Sequence, residues 1–444
     1  MTAGFARSNA LQDRLHRLVP GGAHTFAKGS DQYPEGMAPV LVGGSGARVR
    51  DVDGNTYVEY GMGMRAVTLG HGYRPVVDAV RAVLDDGLSF SRPTELELAA
   101  AEDFLRLVPG ADMVKFGKNA SDATSAAVRL ARAATGRDLV AYCHDHPYFS
   151  SQDWFVGSLP IRAGVPETTR GLARSFPYND LDAVRELLET DRGRVACVIL
   201  EPATSLCEPE PGYLEGLRAL CDEHGTVLVF DETITGFRWS EHGAQGLYGV
   251  TPDLSTWGKA MGNGFPISAI AGKRELMELG GLATDRERVF LLSSTHGAET
   301  VSLAAFRAVV RAYAETDPIG VMERQGAALA AGVAEVARAE GVEQFLDTAG
   351  RPSCLVFRTR DADGNPSQPM RTLFLAETLQ RGVLGQSYVI SAAHTDDDVA
   401  RTVDAVRGAL PAYRKALETG QPERLFAGRP VAPAHRSLAA PRRL

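Results

Sequence analysis

The chain has 444 residues, 44% hydrophobic and 23% charged, with a formal net charge of -8 and an isoelectric point near 5.8. That length can bury more than one core, so two or three domains are expected, and the acidic balance offers no basic surface for nucleic acid. Five scattered cysteines without CxxC spacing fit reduced thiols in a cytoplasmic setting. No apolar run approaches the ~20 residues of a membrane span, and no signal-peptide pattern is visible.

The first predicted helix covers Asn9–Leu18 and stops at Val19-Pro20-Gly21-Gly22. Lys28–Met37 reads as a polar loop. Short strands are expected at Val40–Val42, Ala47–Val52 and Thr56–Tyr60, with Asp53-Gly54 turning between the last two. Helical periodicity follows at Pro75–Leu84 and Leu96–Leu107. An alternation then begins: strand Met113–Phe116, helix Ala120–Ala134, strand Leu139–Cys143, helix Leu181–Glu189, strand Ala196–Leu200, helix Tyr213–His224, strand Thr226–Phe230. Leu254–Trp257 and Ile267–Ala271 are further strands. Such alternation predicts an α/β fold with a mostly parallel sheet covered by helices. One long helix is expected from Ser302 towards Ala339, then a strand at Ser353–Arg358 and helices at Met370–Arg381 and Asp396–Thr419. The expected division is a segment 1–75 joining a small domain, a large domain 76–315, a small α+β domain 316–420, and a Pro-, Ala- and Arg-rich tail 421–444 lacking order.

Two segments carry chemistry. In Val227-Leu-Val-Phe-Asp-Glu-Thr-Ile-Thr-Gly-Phe-Arg238 an apolar strand delivers Asp231 at its carboxyl end, where open α/β sheets place ligand sites. In Asp253-Leu-Ser-Thr-Trp-Gly-Lys-Ala-Met-Gly-Asn-Gly-Phe-Pro266 a second strand ends at Gly258-Lys259. Desolvation at a strand end lowers an amine's pKa and makes it a Schiff-base nucleophile. An aspartate facing a pyridine nitrogen keeps it protonated, so the ring can accept an electron pair. Either residue alone reads as a solvated strand end or a helix cap; together, in this order, they are far more specific. Gly117-Lys-Asn-Ala-Ser-Asp-Ala-Thr124 opens a helix whose free N–H groups suit an anion or an ordinary cap. His144 and His146 have no acidic or cysteine cluster to complete a metal site, so no metal is expected. No GxGxxG or GxxxxGK[ST] stands in a strand–helix setting, which counts against a nucleotide-binding protein.

The segments "FDETITGFR", "STWGKAMGNGFPISAIAGK" and "PGGAHTFAKG…VRDVDGNTYVEYGMG" resemble the class III aminotransferases of pyridoxal 5'-phosphate (PLP) fold type I, over nearly the whole chain to about Thr419. Within that family the aminomutase-like branch is the most similar. The resemblance implies a seven-stranded-type sheet in the large domain and a homodimer with shared active sites. It implies PLP held by Lys259 as a Schiff base, with Asp231 at the ring nitrogen. Ala120 and Ser121 match the residues that take the phosphate, with Ala-Ser where the family has Gly-Thr. Thr295, in Ser294-Thr295-His296-Gly297, matches a threonine that reaches the phosphate of the neighbouring subunit, and Glu201 matches a glutamate near the cofactor. The family's Tyr-His-Gly is replaced by His144-Asp-His-Pro-Tyr-Phe-Ser-Ser150; Tyr148 is the candidate to cover the ring and Phe149 the alternative.

Two departures bear on the substrate. Lys28 stands where the aminomutase pattern has an arginine for the substrate carboxylate, and lysine lacks its bidentate fork. Gln386 stands where that pattern has a glutamate. The variants "AHTFAKGSDQYPEG", "YGMGMRAVTLGHG" and "KNASDAT" resemble aminotransferases that act on sugars. The expected substrates are therefore an amino-acid donor, L-glutamate, and a keto- or aldehydo-sugar of aminoglycoside type. Lys28 and Arg65, with Asp31 and Gln32 in the same polar loop, are the candidates to meet it. The alternatives are glutamate-1-semialdehyde 2,1-aminomutase activity, a PLP-dependent epimerase on an amino sugar, and a non-catalytic regulator with this fold. The last would need a DNA-binding domain that the sequence does not offer.

Overall fold

The computed structural model describes residues 4–146, 148–434 and 436. They form two compact units: one of Met1–Met64, Leu69–Tyr73 and Gly320–Leu444, the other of Arg65–Thr68 and Arg74–Ile319.

The second unit is built on a seven-stranded sheet. Its order is Met113–Gly117, Ser268–Gly272, Leu254–Trp257, Val227–Asp231, Val195–Leu200, Leu139–Cys143 and Ala173–Phe176. Ser268–Gly272 runs antiparallel to both neighbours and the other pairings are parallel. The central strands are buried along their whole length; apolar runs such as Val-Ala-Cys-Val-Ile-Leu (195–200) do not alternate because helices cover both faces. One face packs on Ala123, Ala127 and Leu130 of the helix Ala120–Thr135. The other packs on Leu214, Leu217 and Cys221 of Tyr213–His224. Each fully buried Val or Leu contributes about 1.5–3 kcal/mol.

Two expectations for this region fail for physical reasons. The edge strand Ala173–Phe176 was not expected: Ala-Arg-Ser-Phe is half polar, and it pairs on one side only. The single long helix after Ser302 is two helices, Thr300–Glu315 and Pro318–Ala339. Pro318 has no N–H and disfavours helical backbone at the residue before it, and Thr316 is extended at φ -134°.

The first unit holds the helix Ala6–Leu18, a four-stranded sheet (Leu41–Ser45, Arg48–Asp51, Thr56–Glu59, Val383–Leu384) and a three-stranded one (Leu346–Ala349, Cys354–Thr359, Tyr388–Val389). The turn at Gly54 has φ +90°, which a side chain would strain. The helices Gln368–Gln380 and Asp396–Thr419 pack on each other; Thr395 and Asp398 form a capping box on the second. The stretch from Gln421, expected to lack order, is attached through its described part. Val431 is buried and its N–H donates to Thr372 Oγ1 at 2.9 Å. Composition did not reveal this, because the fastening is done by one apolar residue, a few backbone bonds and the ion pairs of Arg429 with Glu35 and Arg436 with Asp31. Residues 437–444 lie outside the described part.

Candidate active site

Parallel strands present their carboxyl ends on one edge, and that edge collects the candidate groups. The register pairs Leu200 with Phe230 and Asp231 with Thr256. Glu201 and Asp231 therefore follow paired residues on adjacent strands, and Lys259 stands two residues beyond Trp257. Lys259 is half-buried in a 3-10 turn at φ +44°, a left-handed conformation that costs a non-glycine residue free energy and marks sites where position matters. Asn263, also left-handed at φ +44°, caps that turn, and its Oδ1 accepts from Thr68 N at 3.0 Å.

Asp231 is 4% exposed. Thr233 N donates to its Oδ1 at 3.0 Å and Thr256 Oγ1 donates to the same oxygen at 3.2 Å. Burial raises its pKa, opposed by the Thr233 contacts and the Lys259 charge. Glu201 is also buried and is pushed up to about 8, first by desolvation and then by the Asp231 charge, with Lys259 and Arg65 opposing. Near neutral pH it is thus largely the neutral acid. Its backbone N–H donates to His146 Nδ1 at 2.9 Å, and burial lowers the pKa of that imidazole to about 4. Arg65, at φ +73°, has its carbonyl held by Arg238 Nη2 at 3.2 Å.

The helix Ala120–Thr135 begins beside this edge. Asn119 caps it by accepting from Ser121 N at 3.1 Å, and Ser121 Oγ lies 3.0 Å from Tyr148 Oη. Tyr148 is 43% exposed, whereas Phe149 is 2% exposed and packs edge-on against Phe155 at 5.4 Å. Of the two aromatic candidates, only Tyr148 presents a ring outside the core. Lys118 does not add its charge to the helix start: it pairs with Glu299 and donates to Ser302 Oγ. Thr295 stands on an exposed stretch beside His296, whose Nδ1 lies 3.3 Å from Ser89 Oγ.

In the other unit, Lys28 is exposed at the end of a 3-10 turn, Phe26–Lys28. Gln386 Nε2 donates to the carbonyls of Ala27 and Gln32, each at 3.4 Å. Asp31, expected as a group for substrate, instead pairs with Arg436 at 2.6 Å. Sequence reasoning missed Thr256, Asn119 and His146 as supports. Thr256 could have been noticed as a hydroxyl inside an apolar strand next to the aspartate; the others follow only from the folded loops.

The donor set fits PLP. A buried carboxylate with a raised pKa gains from a cationic ring N–H, a lysine on the neighbouring strand end can meet the aldehyde, and a helix start with Ser121 suits the phosphate. Among the described residues no group of three or more His, Cys, Asp or Glu could hold a metal ion, and no helix is long and apolar enough to cross a membrane.

Comparison with known proteins agrees with this chemistry. Residues 33–384 match the family model for aminotransferase class-III. The chain is 36% identical over 439 residues to a glutamate-1-semialdehyde 2,1-aminomutase of Roseiflexus castenholzii, covering 93% of this chain and 99% of the relative. It is 33% identical over 435 residues to glutamate-1-semialdehyde 2,1-aminomutase 2 of Brevibacillus brevis, covering 93% and 99%. Among solved structures, the PLP internal aldimine form of the FumI protein of Sphingopyxis sp. MTA144 superposes with TM-score 0.86 at 28% identity, over 94% of this chain and 99% of that one. An omega-transaminase from Sphaerobacter thermophilus gives 0.82 at 28%, over 93% and 98%. Matched along nearly its whole length in both sequence and fold, this chain belongs to the class III aminotransferases, enzymes that work with PLP.

Proposed function

We propose that the enzyme transfers an amino group from L-glutamate to a keto- or aldehydo-sugar, in the synthesis of amino sugars of aminoglycoside type, and that it works as a homodimer. PLP supplies a carbonyl for the amine and a ring that takes up the electron pair left when the substrate carbon loses its proton. Lys259 would hold the cofactor through Nζ, and the same amine, once released, serves as base and acid for the substrate proton. Asp231 holds a proton at the ring nitrogen, and Thr233 and Thr256 hold Asp231 in place. Ala120 and Ser121 would take the phosphate, Tyr148, whose hydroxyl lies 3.0 Å from Ser121 Oγ, would meet the ring, and Thr295 would serve the neighbouring subunit's phosphate. Glu201, in its acid form, offers a hydrogen-bond donor beside the cofactor. Lys28 and Arg65 are given to the acceptor.

The observation that carries the sugar reading is Gln386. Its amide donates to two carbonyls of the loop that carries Lys28. An ionised glutamate is an acceptor only and could not make those bonds. The loop is therefore built differently from the pattern that meets a substrate carboxylate with an arginine and a glutamate. A second reading, the aminomutase, is favoured by the names of the curated relatives. The test is a panel of keto-sugars and aminoglycoside precursors with L-glutamate and purified protein, scored by 2-oxoglutarate release. Turnover of glutamate-1-semialdehyde with no added donor, and none of the sugars, would establish the aminomutase instead.

A further inference from the structure

Within the first unit, residues 428–434 and Arg436 contact residues 31–35. Ala432 N donates to Asp31 O at 3.1 Å, Gln32 Nε2 donates to Ala432 O at 2.9 Å, and Arg436 Nη2 pairs with Asp31 Oδ2 at 2.6 Å. Further along, Arg429 N donates to Glu35 Oε2 at 2.9 Å. Gly428, at φ +78°, crosses so close that an added Cβ would lie 2.6 Å from Glu35 Cβ. The segment is itself fastened by the buried Val431 and its bond to Thr372. The loop it contacts is built of single 3-10 turns, Phe26–Lys28 and Ser30–Gln32, a form with few internal bonds, and is otherwise tied through Ser30 Oγ to His16 and through the carbonyls of Ala27 and Gln32 to Gln386.

We infer that residues 428–434 together with Arg436 form a positioning strap that fixes the Lys28 loop for the acceptor. The inference rests on the reading above that gives Lys28 to the acceptor. The strap touches no substrate. It acts by removing conformations that the loop would otherwise sample, so that binding does not bear the cost of ordering it. Asp31 is the joint, engaged through its carbonyl by Ala432 and through its carboxylate by Arg436. That double engagement explains why a polar residue of the loop is committed to the protein rather than offered to a polyol. The lysine and aspartate of the PLP chemistry are in the other unit, and the contacts of the strap given above are all within the first.

The test uses the full-length enzyme, a chain ending after Ala427, and the point variants Arg436→Ala and Arg436→Lys. Two quantities are read: hydrogen exchange of the amides of residues 27–33, and steady-state constants for acceptor alongside the single-turnover rate with L-glutamate. The shortened chain should exchange faster in the loop and show an acceptor KM about tenfold higher. Arg436→Ala, which loses one partly exposed ion pair, should raise it about threefold, and Arg436→Lys should recover most of that. The glutamate rate should stay within about twofold of the parent, since the amine chemistry keeps its own supports. Unchanged exchange in both the shortened chain and Arg436→Ala overturns the strap whatever the acceptor proves to be. Faster exchange with an unchanged KM, or an equal loss in the glutamate step, overturns its link to the acceptor. If the shortened chain does not fold, the Arg436 pair decides by the same readings. Should glutamate-1-semialdehyde prove to be the substrate, the sugar reading fails while the exchange result still stands or falls alone.

Discussion

Replacing Thr256 by valine tests whether Asp231 is held as an anion by its neighbours. Thr256 is fully buried and its hydroxyl donates to Asp231 Oδ1 at 3.2 Å. Valine keeps the branched shape and removes the donor. A hydrogen bond to a charged group contributes about 1.5–3 kcal/mol, and this one is longer than the usual O–H···O distance, so about 1.5 kcal/mol is expected. That is about a tenfold shift from carboxylate towards carboxylic acid. Because burial already raises the folded-state pKa of Asp231, the anionic form is the strained one. Stability linked to this group is full below the ordinary carboxylate range and is lost as pH rises through the folded pKa. Removing a donor deepens that loss. In the cofactor-free protein, Thr256→Val should therefore lower the melting temperature clearly at pH ~8 and little at pH ~4. In the loaded enzyme the acid limb of the single-turnover rate with L-glutamate should move to higher pH, and Thr256→Ser should restore it. An equal melting difference at both pH values would refute the reasoning, because the hydroxyl would then be bonded to something whose charge does not change.

Three further outcomes are expected. Glu201→Gln should flatten the alkaline limb of the pH–rate profile near pH 8, where the parent glutamic acid ionises; rates taken across pH 6–10 would check it. Gln386→Glu replaces two weak donated bonds of 3.4 Å with a carboxylate facing carbonyl oxygens, costing about 1–2 kcal/mol of loop order; sugar-acceptor KM should rise about tenfold while the glutamate step holds. Asp253 accepts from Leu228 N at 2.7 Å, Arg218 at 2.9 Å and Lys273 at 2.6 Å, contacts that together hold its pKa below the ordinary value against desolvation. Asp253→Asn should cost about 2–4 kcal/mol at neutral pH by urea unfolding. The difference should shrink as pH falls through the folded-state pKa, where the parent loses its charge too.

The sheet was legible because buried parallel strands announce themselves as apolar runs, such as those that lead to Asp231 and to Gly258-Lys259. What escaped the sequence were elements whose order is supplied by neighbours. The edge strand Ala173–Phe176 has no pattern of its own, the break at Pro318 was masked by strong helix formers on both sides, and the tail looked loose by composition. The choice between Tyr148 and Phe149 was equally hidden, since adjacent aromatics in a loop differ only in which one the core accepts. In the structure Phe149 is buried with Trp154 and Phe155, and Tyr148 Oη lies beside Ser121 Oγ.

The departures from the aminomutase pattern do not fall at random. Lys28 and Gln386 both lie in the first unit and meet on the same loop, whereas Lys259, Asp231, Thr256 and Glu201 all lie in the second. If Lys28 meets the acceptor as proposed, a change of acceptor calls for new contacts at its loop, while Arg65, the other acceptor candidate, lies in the second unit, where its charge acts on Glu201. Alterations confined to the Lys28 loop should then redirect acceptor preference without recolouring or inactivating the enzyme towards glutamate. If a single loop substitution instead abolished the glutamate step, the two tasks would be energetically joined, and the assignment of Lys28 to the acceptor alone would be untenable.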